Sequence, residues 1–197
     1  FVSFNFGDTT GITLDLSNAD IQNTGKGRVQ IINVENLEGG DGDDKLFGNS
    51  SNNILKGGLG NDTLVGREGN NTLDGGTGID TADYSAVDSS NGLNVDLGLA
   101  SQQVQNNGYL GKDTLISIEK IIGTKNSDII IGKTTNLSID TMTFELGAGN
   151  DTIWAGSGTN VIYTSRMTES GVDYTSYNNT VFSGTGSDTV IGSSGND

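Results

Sequence analysis

The sequence predicts an all-β solenoid made of nine-residue coils, and three features of the chain lead to this prediction. An apolar residue recurs at every ninth position, namely Leu37, Leu46, Leu55, Leu64, Leu73 and Ala82. Two positions before each of these lies an acidic or amide residue, namely Glu35, Asp44, Asn53, Asp62, Asn71 and Asp80. Glycines fill the segments between, and self-similarity at a short fixed period is typical of solenoids.

The coils are predicted to consist of strands and turns. Their apolar segments are short, rich in β-branched residues and bounded by glycine, which is the pattern of strands. No segment combines helical periodicity with capping residues, so we expect essentially no long helix. The chain has 31 glycines and no proline. This composition suits turns with positive φ or close approach to a ligand better than a stiff linker.

The composition indicates that apolar burial alone cannot fold this chain. Its hydrophobic content is 32% and its formal net charge is −15. Soluble domains have roughly 45–50% apolar residues when glycine is counted, and acidic chains with few apolar residues are often disordered. The regular phase of the apolar residues argues against disorder. A coil with one inward apolar residue and one carboxylate therefore needs a hard, oxygen-binding cation.

The missing residue types exclude several kinds of chemistry. The chain has no cysteine, so no disulfide can stabilise it, and a metal is the obvious substitute. It has no histidine, which excludes Ser-His-Asp and Cys-His catalysis and HExxH zinc sites. Only oxygen ligands remain, and these suit calcium, magnesium or manganese. The negative charge argues against nucleic acid and anionic membranes as partners, and no apolar stretch approaches the ~20 residues of a membrane span.

The chain is organised as a duplicated unit in which a flank precedes a run of repeats. Residues 11–16 (GITLDL) resemble residues 92–97 (GLNVDL), and residues 34–37 (VENL) resemble residues 118–121 (IEKI). The predicted segments are a flanking β segment (1–38), a regular roll (39–83), a second flank (84–122), a degenerate roll (123–163), an inserted loop (164–173) and C-terminal repeats (174–197). The chain ends within a repeat, and we expect it to be a fragment of a longer protein.

The repeats resemble the RTX nonapeptide family, whose signature is G-G-x-G-x-D-x-U-x. Three segments match this signature through the aspartate, namely residues 39–44 (GGDGDD), 57–62 (GGLGND) and 75–80 (GGTGID). The resemblance implies a right-handed parallel β-roll that binds several Ca²⁺ ions. It also implies that successive turns lie on opposite edges of the roll, so that neighbours on one edge are eighteen residues apart. Calcium takes six to eight oxygen ligands, more than one turn supplies, so each ion is expected between two stacked turns.

The resemblance assigns different roles to the two edges. One edge carries Asp44, Asp62 and Asp80, and two strong calcium sites are predicted there, one between each adjacent pair. The other edge carries Glu35, Asn53 and Asn71. It is predicted to bind calcium weakly or not at all, because asparagine offers a neutral oxygen and its amide can form a ladder instead.

Further residues are predicted to complete the calcium sites. The backbone carbonyls implied by the family are those of Gly39, Asp41, Gly58, Gly60, Gly75 and Thr77. The same turns contribute Gly57, Leu59, Gly76 and Gly78 to the predicted metal set. Later repeats contribute Asp128, Gly147, Gly149, Asp151, Gly184, Gly186, Asp188 and Asp197. The partner of Asp188 on its own edge is expected either inside the inserted loop or beyond Asp197.

The aromatic residues of the last third permit two interpretations. Trp154, Phe144, Tyr163, Tyr174, Tyr177 and Phe182 form this group. They either provide a platform for a sugar or a partner protein, or pack beneath the 164–173 loop, and packing is the preferred interpretation.

The predicted function is that of a calcium-binding roll in a large extracellular protein of a bacterium, secreted or held at the cell surface. The resemblance implies type I secretion of an unfolded chain that folds on meeting calcium outside the cell. A structural or adhesive role is favoured and no catalytic residues are expected, whereas a cell-surface, polysaccharide or self-association partner stays unidentified. The alternative is a carrier module of a secreted lipase, protease, epimerase or cytolysin whose active site lies elsewhere.

Overall fold

The computed structural model describes residues 2–4, 7, 9–87, 90–98, 103–106, 111–133, 141–165, 167–168, 171–172 and 177–192. All regular structure in this part of the chain is β-structure, as predicted. Because the described residues form no helix, none of them forms one long and apolar enough to cross a membrane. Two compact units can be distinguished, residues 1–83 with 110–118 and residues 84–109 with 119–197.

Most strands are only three residues long, which is what a nine-residue coil with glycine turns allows. The first ten are β1 (Val2–Ser3), β2 (Thr13–Asp15), β3 (Ile21–Asn23), β4 (Arg28–Gln30), β5 (Asn36–Glu38), β6 (Lys45–Phe47), β7 (Ile54–Leu59), β8 (Thr63–Val65), β9 (Thr72–Thr77) and β10 (Thr81–Asp83). The others are β11 (Leu93–Asp96), β12 (Gln103–Asn106), β13 (Lys112–Ile116), β14 (Lys120–Ile122), β15 (Ile129–Ile131), β16 (Thr143–Glu145), β17 (Thr152–Trp154), β18 (Val161–Tyr163), β19 (Met167–Thr168), β20 (Gly171–Val172), β21 (Thr180–Phe182) and β22 (Thr189–Ile191).

The first unit consists of two parallel ladders and one hairpin. Its first ladder runs in the order β1-β5-β7-β9-β13 and its second in the order β2-β6-β8-β10. Strands eighteen residues apart pair in register, with Leu37 opposite Leu55 and Leu46 opposite Leu64. The predicted eighteen-residue pairing is therefore confirmed. Strands β3 and β4 form an antiparallel hairpin in the flank that precedes the repeats.

The core of the first unit is two rows of single side chains, one on each ladder. One row is Leu37, Leu55, Leu73 and Leu115, and the other is Leu14, Leu46, Leu64 and Ala82. All of these side chains are at most 2% exposed. Apart from these rows, strands β5 to β10 bury only one more large apolar side chain, that of Val65, which is the thin core that the composition predicts.

Glycine is required where two turns stack directly on each other. Gly58 and Gly60 have φ values of 122° and 119°, a region that residues with a Cβ rarely adopt. A Cβ on Gly60 would also lie 2.6 Å from the carbonyl oxygen of Gly42 in the preceding turn. The glycines therefore set both the sharp bend and the short distance between coils.

The second unit repeats this architecture with longer excursions. One parallel ladder runs β11-β15-β17-β21, with β12 antiparallel on β11, and the other runs β14-β16-β18-β22. Strands β19 and β20 form an antiparallel hairpin within the segment predicted as an inserted loop. The inward row Ile121, Phe144 and Ile162 is fully buried, whereas Val190 at its end is 46% exposed.

Two of the aromatic residues are not packed in the way that the sequence analysis expects. Phe144 lies in the core, while Trp154 and Phe182 are 42% and 50% exposed. Their rings stack on neighbouring strands with centroids 5.4 Å apart and planes 6° apart. The prediction that the aromatic residues pack beneath the 164–173 loop is therefore wrong for Trp154 and Phe182, whereas Tyr174 lies outside the described residues. Trp154 and Phe182 occupy paired positions of β17 and β21, so their exposed rings lie together on one face of this ladder.

Replacing one inward leucine is expected to destabilise the roll strongly. Leu64 is completely buried, so Leu64→Ala should lower the free energy of unfolding by about 2–5 kcal/mol. The matched control is Leu59→Ala, because Leu59 is the last residue of β7 and is 50% exposed, and a change of about 0.5 kcal/mol or less is expected. Urea unfolding in saturating calcium measures both. Similar losses in the two variants would contradict the assigned core.

Candidate metal centre

The turns of the first unit lie on two edges, which differ in the residue at the sixth position of the turn. The Asp edge consists of turns 39–44, 57–62 and 75–80, which lead from the first ladder to the second. The Asn edge consists of turns 48–53 and 66–71, which lead back. The position-6 side chains Asp44, Asp62, Asp80, Asn53 and Asn71 are all at most 2% exposed. Position 6 is therefore an inward position on both edges.

One oxygen of each position-6 aspartate on the Asp edge binds the backbone of the preceding coil. The N–H groups of Asp44 and Asp62 donate to Oδ1 of the aspartate eighteen residues later, at 2.7 and 2.8 Å. The N–H of Ile12 in the flank donates to Asp44 Oδ1 in the same way, at 2.8 Å. This ladder fixes the orientation of each carboxylate and directs its second oxygen toward its own turn.

The second carboxylate oxygen of Asp62 lies in a cleft where no group donates a hydrogen bond to it. Asp62 Oδ2 is buried and has no hydrogen-bond partner. A Cβ on Gly57 would collide with this oxygen and would lie 2.5 Å from the carbonyl oxygen of Gly75 in the next turn. The cleft at Gly39 has the same composition, with Asp44 Oδ2 and the carbonyl of Gly57. There Asp44 Oδ2 accepts a hydrogen bond from the N–H of Gly40 at 2.7 Å.

Electrostatics disfavours charged carboxylates on this edge when no cation is present. Burial raises the pKa of Asp62 to about 7, and the like charges of Asp44 and Asp80 add to this shift. Burial also raises the pKa of Asp44. A cation between the turns would remove both causes, because it would replace the lost hydration and screen the carboxylates from one another.

The donor set suits a hard divalent cation. The clefts combine one carboxylate oxygen with a backbone carbonyl from the neighbouring turn, and oxygen donors of this kind are those that calcium prefers. Among the described residues, no group of three or more acidic side chains converges on one point. Any ion bound here must therefore take much of its coordination from the backbone.

The other predicted members of these sites lie in the same turns. Gly76 and Gly78 have positive φ, as Gly58 and Gly60 do. Thr77 pairs with Leu59, and its carbonyl accepts a hydrogen bond from the N–H of Gly60 at 3.0 Å. The sequence assigned the carbonyls of Asp41, Gly58, Gly60 and Thr77 to calcium, and this assignment stays a prediction.

On the Asn edge, amide groups supply hydrogen-bond donors to these turns. Asn53 Nδ2 donates to the carbonyl of Glu35 at 2.9 Å, and Asn71 Nδ2 donates to the carbonyl of Glu68 at 3.3 Å. The N–H of Asn53 donates to Asn71 Oδ1 at 2.9 Å, which is the same backbone-to-side-chain bond that the aspartates accept on the Asp edge. Glu35 itself is exposed. This edge is therefore largely self-satisfied without a cation.

The sequence analysis missed Asp113, which continues the Asn edge. Asp113 is 2% exposed, and its Oδ1 accepts a hydrogen bond from the N–H of Asn71 at 2.9 Å. It reaches this place because β13 pairs with β9, although 42 residues separate Asp113 from Asn71. The signal in the sequence was the Asp-Thr-Leu segment at 113–115, which repeats the segment at 62–64.

The second unit carries a related edge with irregular spacing. Asp128 and Asp151 are both 1% exposed, and the N–H of Asp128 donates to Asp151 Oδ1 at 2.8 Å, across 23 residues. Asp151 Oδ2 is buried without a hydrogen-bond partner. Burial raises the pKa of Asp151 to about 8, helped by the charge of Asp128, and raises the pKa of Asp128 to about 6. Asn179 follows on this edge, its Oδ1 accepting from the N–H of Asp151 at 2.7 Å.

The opposite edge of the second unit pairs Asn160 with Asp188. The N–H and Nδ2 of Asn160 both donate to Asp188 Oδ1 at 3.0 Å. The expectation that the partner of Asp188 lies inside the inserted loop or beyond Asp197 is therefore wrong. The partner, Asn160, lies 28 residues before Asp188, because the chain between them makes an excursion from the coil that contains the hairpin β19–β20. Asp197 lies outside the described residues. Gly147, Gly149, Gly184 and Gly186 all have positive φ in the turns of this unit.

The raised pKa values predict how the stability of the metal-free chain depends on pH. The folded pKa values of Asp62 and Asp151 lie above the ordinary value of 3.8, so the fold favours the neutral carboxyl. This contribution is complete below about pH 4 and is lost as the pH rises through 7 to 8. Circular dichroism of the metal-free chain should therefore show a larger β-structure signal at pH 5 than at pH 8.5. An equal or smaller signal at pH 5 would contradict the burial of these carboxylates.

Comparison with known proteins agrees with the geometry of these turns. The model of the RTX calcium-binding nonapeptide repeat matches in four copies, over residues 34–64, 47–82, 143–166 and 173–197. A search of curated proteins finds no match. The matched copies contain the turns of the Asp edge from Asp44 to Asp80 as well as Asp151 and Asp188. The chain therefore belongs to the family that carries RTX calcium-binding nonapeptide repeats, and it is a calcium-binding β-roll module.

Proposed function

We propose that this chain is a calcium-folded structural module of a large exported bacterial protein. At low calcium, repulsion between buried carboxylates opposes stacking of the coils and the thin core cannot offset it. At the calcium concentration outside the cell, ions bind between the turns and supply folding free energy. Extracellular calcium modules typically have Kd values of about 10⁻⁴–10⁻³ M, a range that separates the cytosol from the exterior.

The environment of Asp62 carries this proposal. This carboxylate is fully buried, one of its oxygens has no partner, and two like charges lie next to it in the ladder. An unsatisfied buried polar group costs about 1–3 kcal/mol, and more when it is charged. Calcium between Asp62 and its neighbours would convert this cost into a stabilising interaction. Two ions are proposed on the Asp edge, one between Asp44 and Asp62 and one between Asp62 and Asp80.

Secretion is supported by the family and by the chemistry of the chain. RTX repeats are typical of secreted bacterial proteins. A chain without cysteine that folds only with calcium suits type I export, in which an unfolded polypeptide crosses the envelope and folds outside. Its net charge of −15 keeps the unfolded chain extended and soluble.

A structural or adhesive role is proposed because the buried aspartates accept hydrogen bonds from the backbone and face no substrate cavity. The buried aspartates of both units hold N–H groups of neighbouring coils rather than lining an open cavity. A groove of about 590 Å³ in the second unit is lined by glycine, leucine, isoleucine and polar residues such as Asn91, Lys125, Asn150 and Tyr177, without an acidic residue. It therefore lacks the pair of carboxylates that glycoside hydrolysis needs. We propose that this segment has no catalytic function.

A calcium titration of the metal-free chain tests the proposed function. Circular dichroism should show a cooperative gain of β-structure at sub-millimolar to millimolar calcium, with magnesium as the control ion. Asp62→Asn should raise the calcium midpoint by about an order of magnitude, because Asp62 belongs to both proposed sites and its charge is lost. Asp20→Asn removes an exposed charge and should leave the midpoint unchanged. A metal-free chain that is already folded and does not respond to calcium would disprove the proposal.

The two edges can be tested against each other by adding charge to the Asn edge. The double variant Asn53→Asp/Asn71→Asp places two carboxylates eighteen residues apart, as in the pair Asp44 and Asp62. Because Asp113 follows Asn71 on this edge, native mass spectrometry should detect at least one more bound calcium than in the unmodified chain. An unchanged number of ions would show that the asparagines do not distinguish the edges.

A further inference from the structure

Arg67 occupies a motif position that is glycine in the three turns of the Asp edge. It is the second residue of the turn 66–71 (GREGNN), where the Asp edge has Gly40, Gly58 and Gly76. Its φ is 63°, so the backbone keeps the left-handed conformation seen at Gly58 and Gly76. A non-glycine residue in this conformation is uncommon, and such strain is retained where the side chain forms compensating interactions.

The side chain of Arg67 binds oxygen atoms from two neighbouring coils. Nη1 donates to Asp15 Oδ1 at 2.7 Å, to Ser17 Oγ at 2.6 Å and to the carbonyl of Gly48 at 2.7 Å. Nη2 donates to Asp15 Oδ2 at 2.7 Å, which makes the ion pair bidentate. The guanidinium lies over the ring of Phe47, 5.5 Å from its centroid. The side chain thus spans from the third coil across the second to the flanking strand β2.

The oxygens that Arg67 holds correspond to those at the calcium clefts. Gly48 is the first residue of its turn, as Gly57 and Gly75 are of theirs. The carbonyls of Gly57 and Gly75 lie beside the carboxylates of Asp44 and Asp62 on the Asp edge. On the Asn edge the carbonyl of Gly48 faces a guanidinium and the nearby carboxylate belongs to Asp15. A carboxylate, a hydroxyl and a carbonyl would otherwise be a typical set of calcium ligands.

The ion pair between Arg67 and Asp15 is partly shielded from solvent, and both of its groups keep their charge. The side chains of Arg67 and Asp15 are 33% and 27% exposed. Burial alone would raise the pKa of Asp15, but the hydrogen bonds from Arg67 and Ser17 outweigh it and hold that pKa below its ordinary value. Asp15 is therefore charged across the physiological pH range, and arginine keeps its charge at any pH a protein meets.

We propose that Arg67 is a tethered cation, which holds on the Asn edge the kind of oxygen set that calcium holds on the Asp edge. Together with the amides of Asn53 and Asn71 it makes turns 48–53 and 66–71 of the Asn edge independent of calcium, so that these two turns need no bound ion. This inference rests on the proposed function for the Asp edge. The single guanidinium does not relieve the repulsion among Asp44, Asp62 and Asp80, so calcium is still needed for folding.

The test measures hydrogen–deuterium exchange of the full chain in saturating calcium, together with the number of bound ions. Arg67→Gly removes the guanidinium and restores the residue that the positive φ favours, so the turn itself is not strained. We expect protection of residues 13–17 and 48–50 to fall at least tenfold. Protection at Asp44 and Asp62 should stay within about twofold, and the number of calcium ions should not fall. The control Arg28→Ala removes an equal charge from an exposed position in β4 and should leave all these values unchanged.

Two outcomes would overturn the inference. Equal protection of residues 13–17 and 48–50 in the Arg67→Gly and Arg28→Ala variants would show that the guanidinium does not connect these coils. Equal losses on both edges, accompanied by fewer bound ions, would show that Arg67 supports the whole roll rather than replacing a cation on one edge. Arg67→Lys adds a third comparison, because it keeps the charge but loses the bidentate geometry, and an intermediate loss of protection is expected. A chain that folds without calcium would disprove the proposed function alone, since the protection at residues 13–17 would still be measurable.

Discussion

The structure depends on carboxylates that are buried between stacked turns. Each position-6 aspartate uses one oxygen to bind the N–H of the preceding coil and directs the other into its own turn. The first interaction fixes the distance and register between coils. The second leaves a charged oxygen in a cleft lined by backbone carbonyl groups, where burial and neighbouring charges raise its pKa. The same side chain therefore organises the coil and, in the proposed function, makes its folding depend on a bound cation.

The remaining features of the fold follow from this arrangement. Coils that stack so closely require glycine at the turns, since a Cβ would collide with the carbonyl groups of the neighbouring coil. Glycine turns leave only short strands, and short strands bury at most two large apolar side chains each. A core this thin contributes little stability by itself, which is why metal binding and folding are coupled in the proposed function.

The Asn edge shows a second solution to the same packing problem. Replacing a carboxylate by an amide removes the charge and supplies an N–H donor, so the turn satisfies its own carbonyl groups. Arg67 adds a positive charge at the one place where this edge meets the carboxylate of Asp15. In the proposed function, the two edges of the first unit therefore differ in their requirement for a cation. This asymmetry would let the number of bound ions differ from the number of turns.

The sequence by itself determined the period of the coil, the eighteen-residue pairing and the inward rows of leucines, because these depend on local spacing that repeats without interruption. It also separated the Asp edge from the Asn edge. Only the tertiary structure decided which residues meet across interruptions, such as Asn71 with Asp113 and Asn160 with Asp188. The length of an excursion does not reveal the register in which the chain returns to the ladder. The pairing of Arg67 with Asp15, 52 residues apart, was likewise hidden, since a long side chain crossing two coils leaves no periodic pattern.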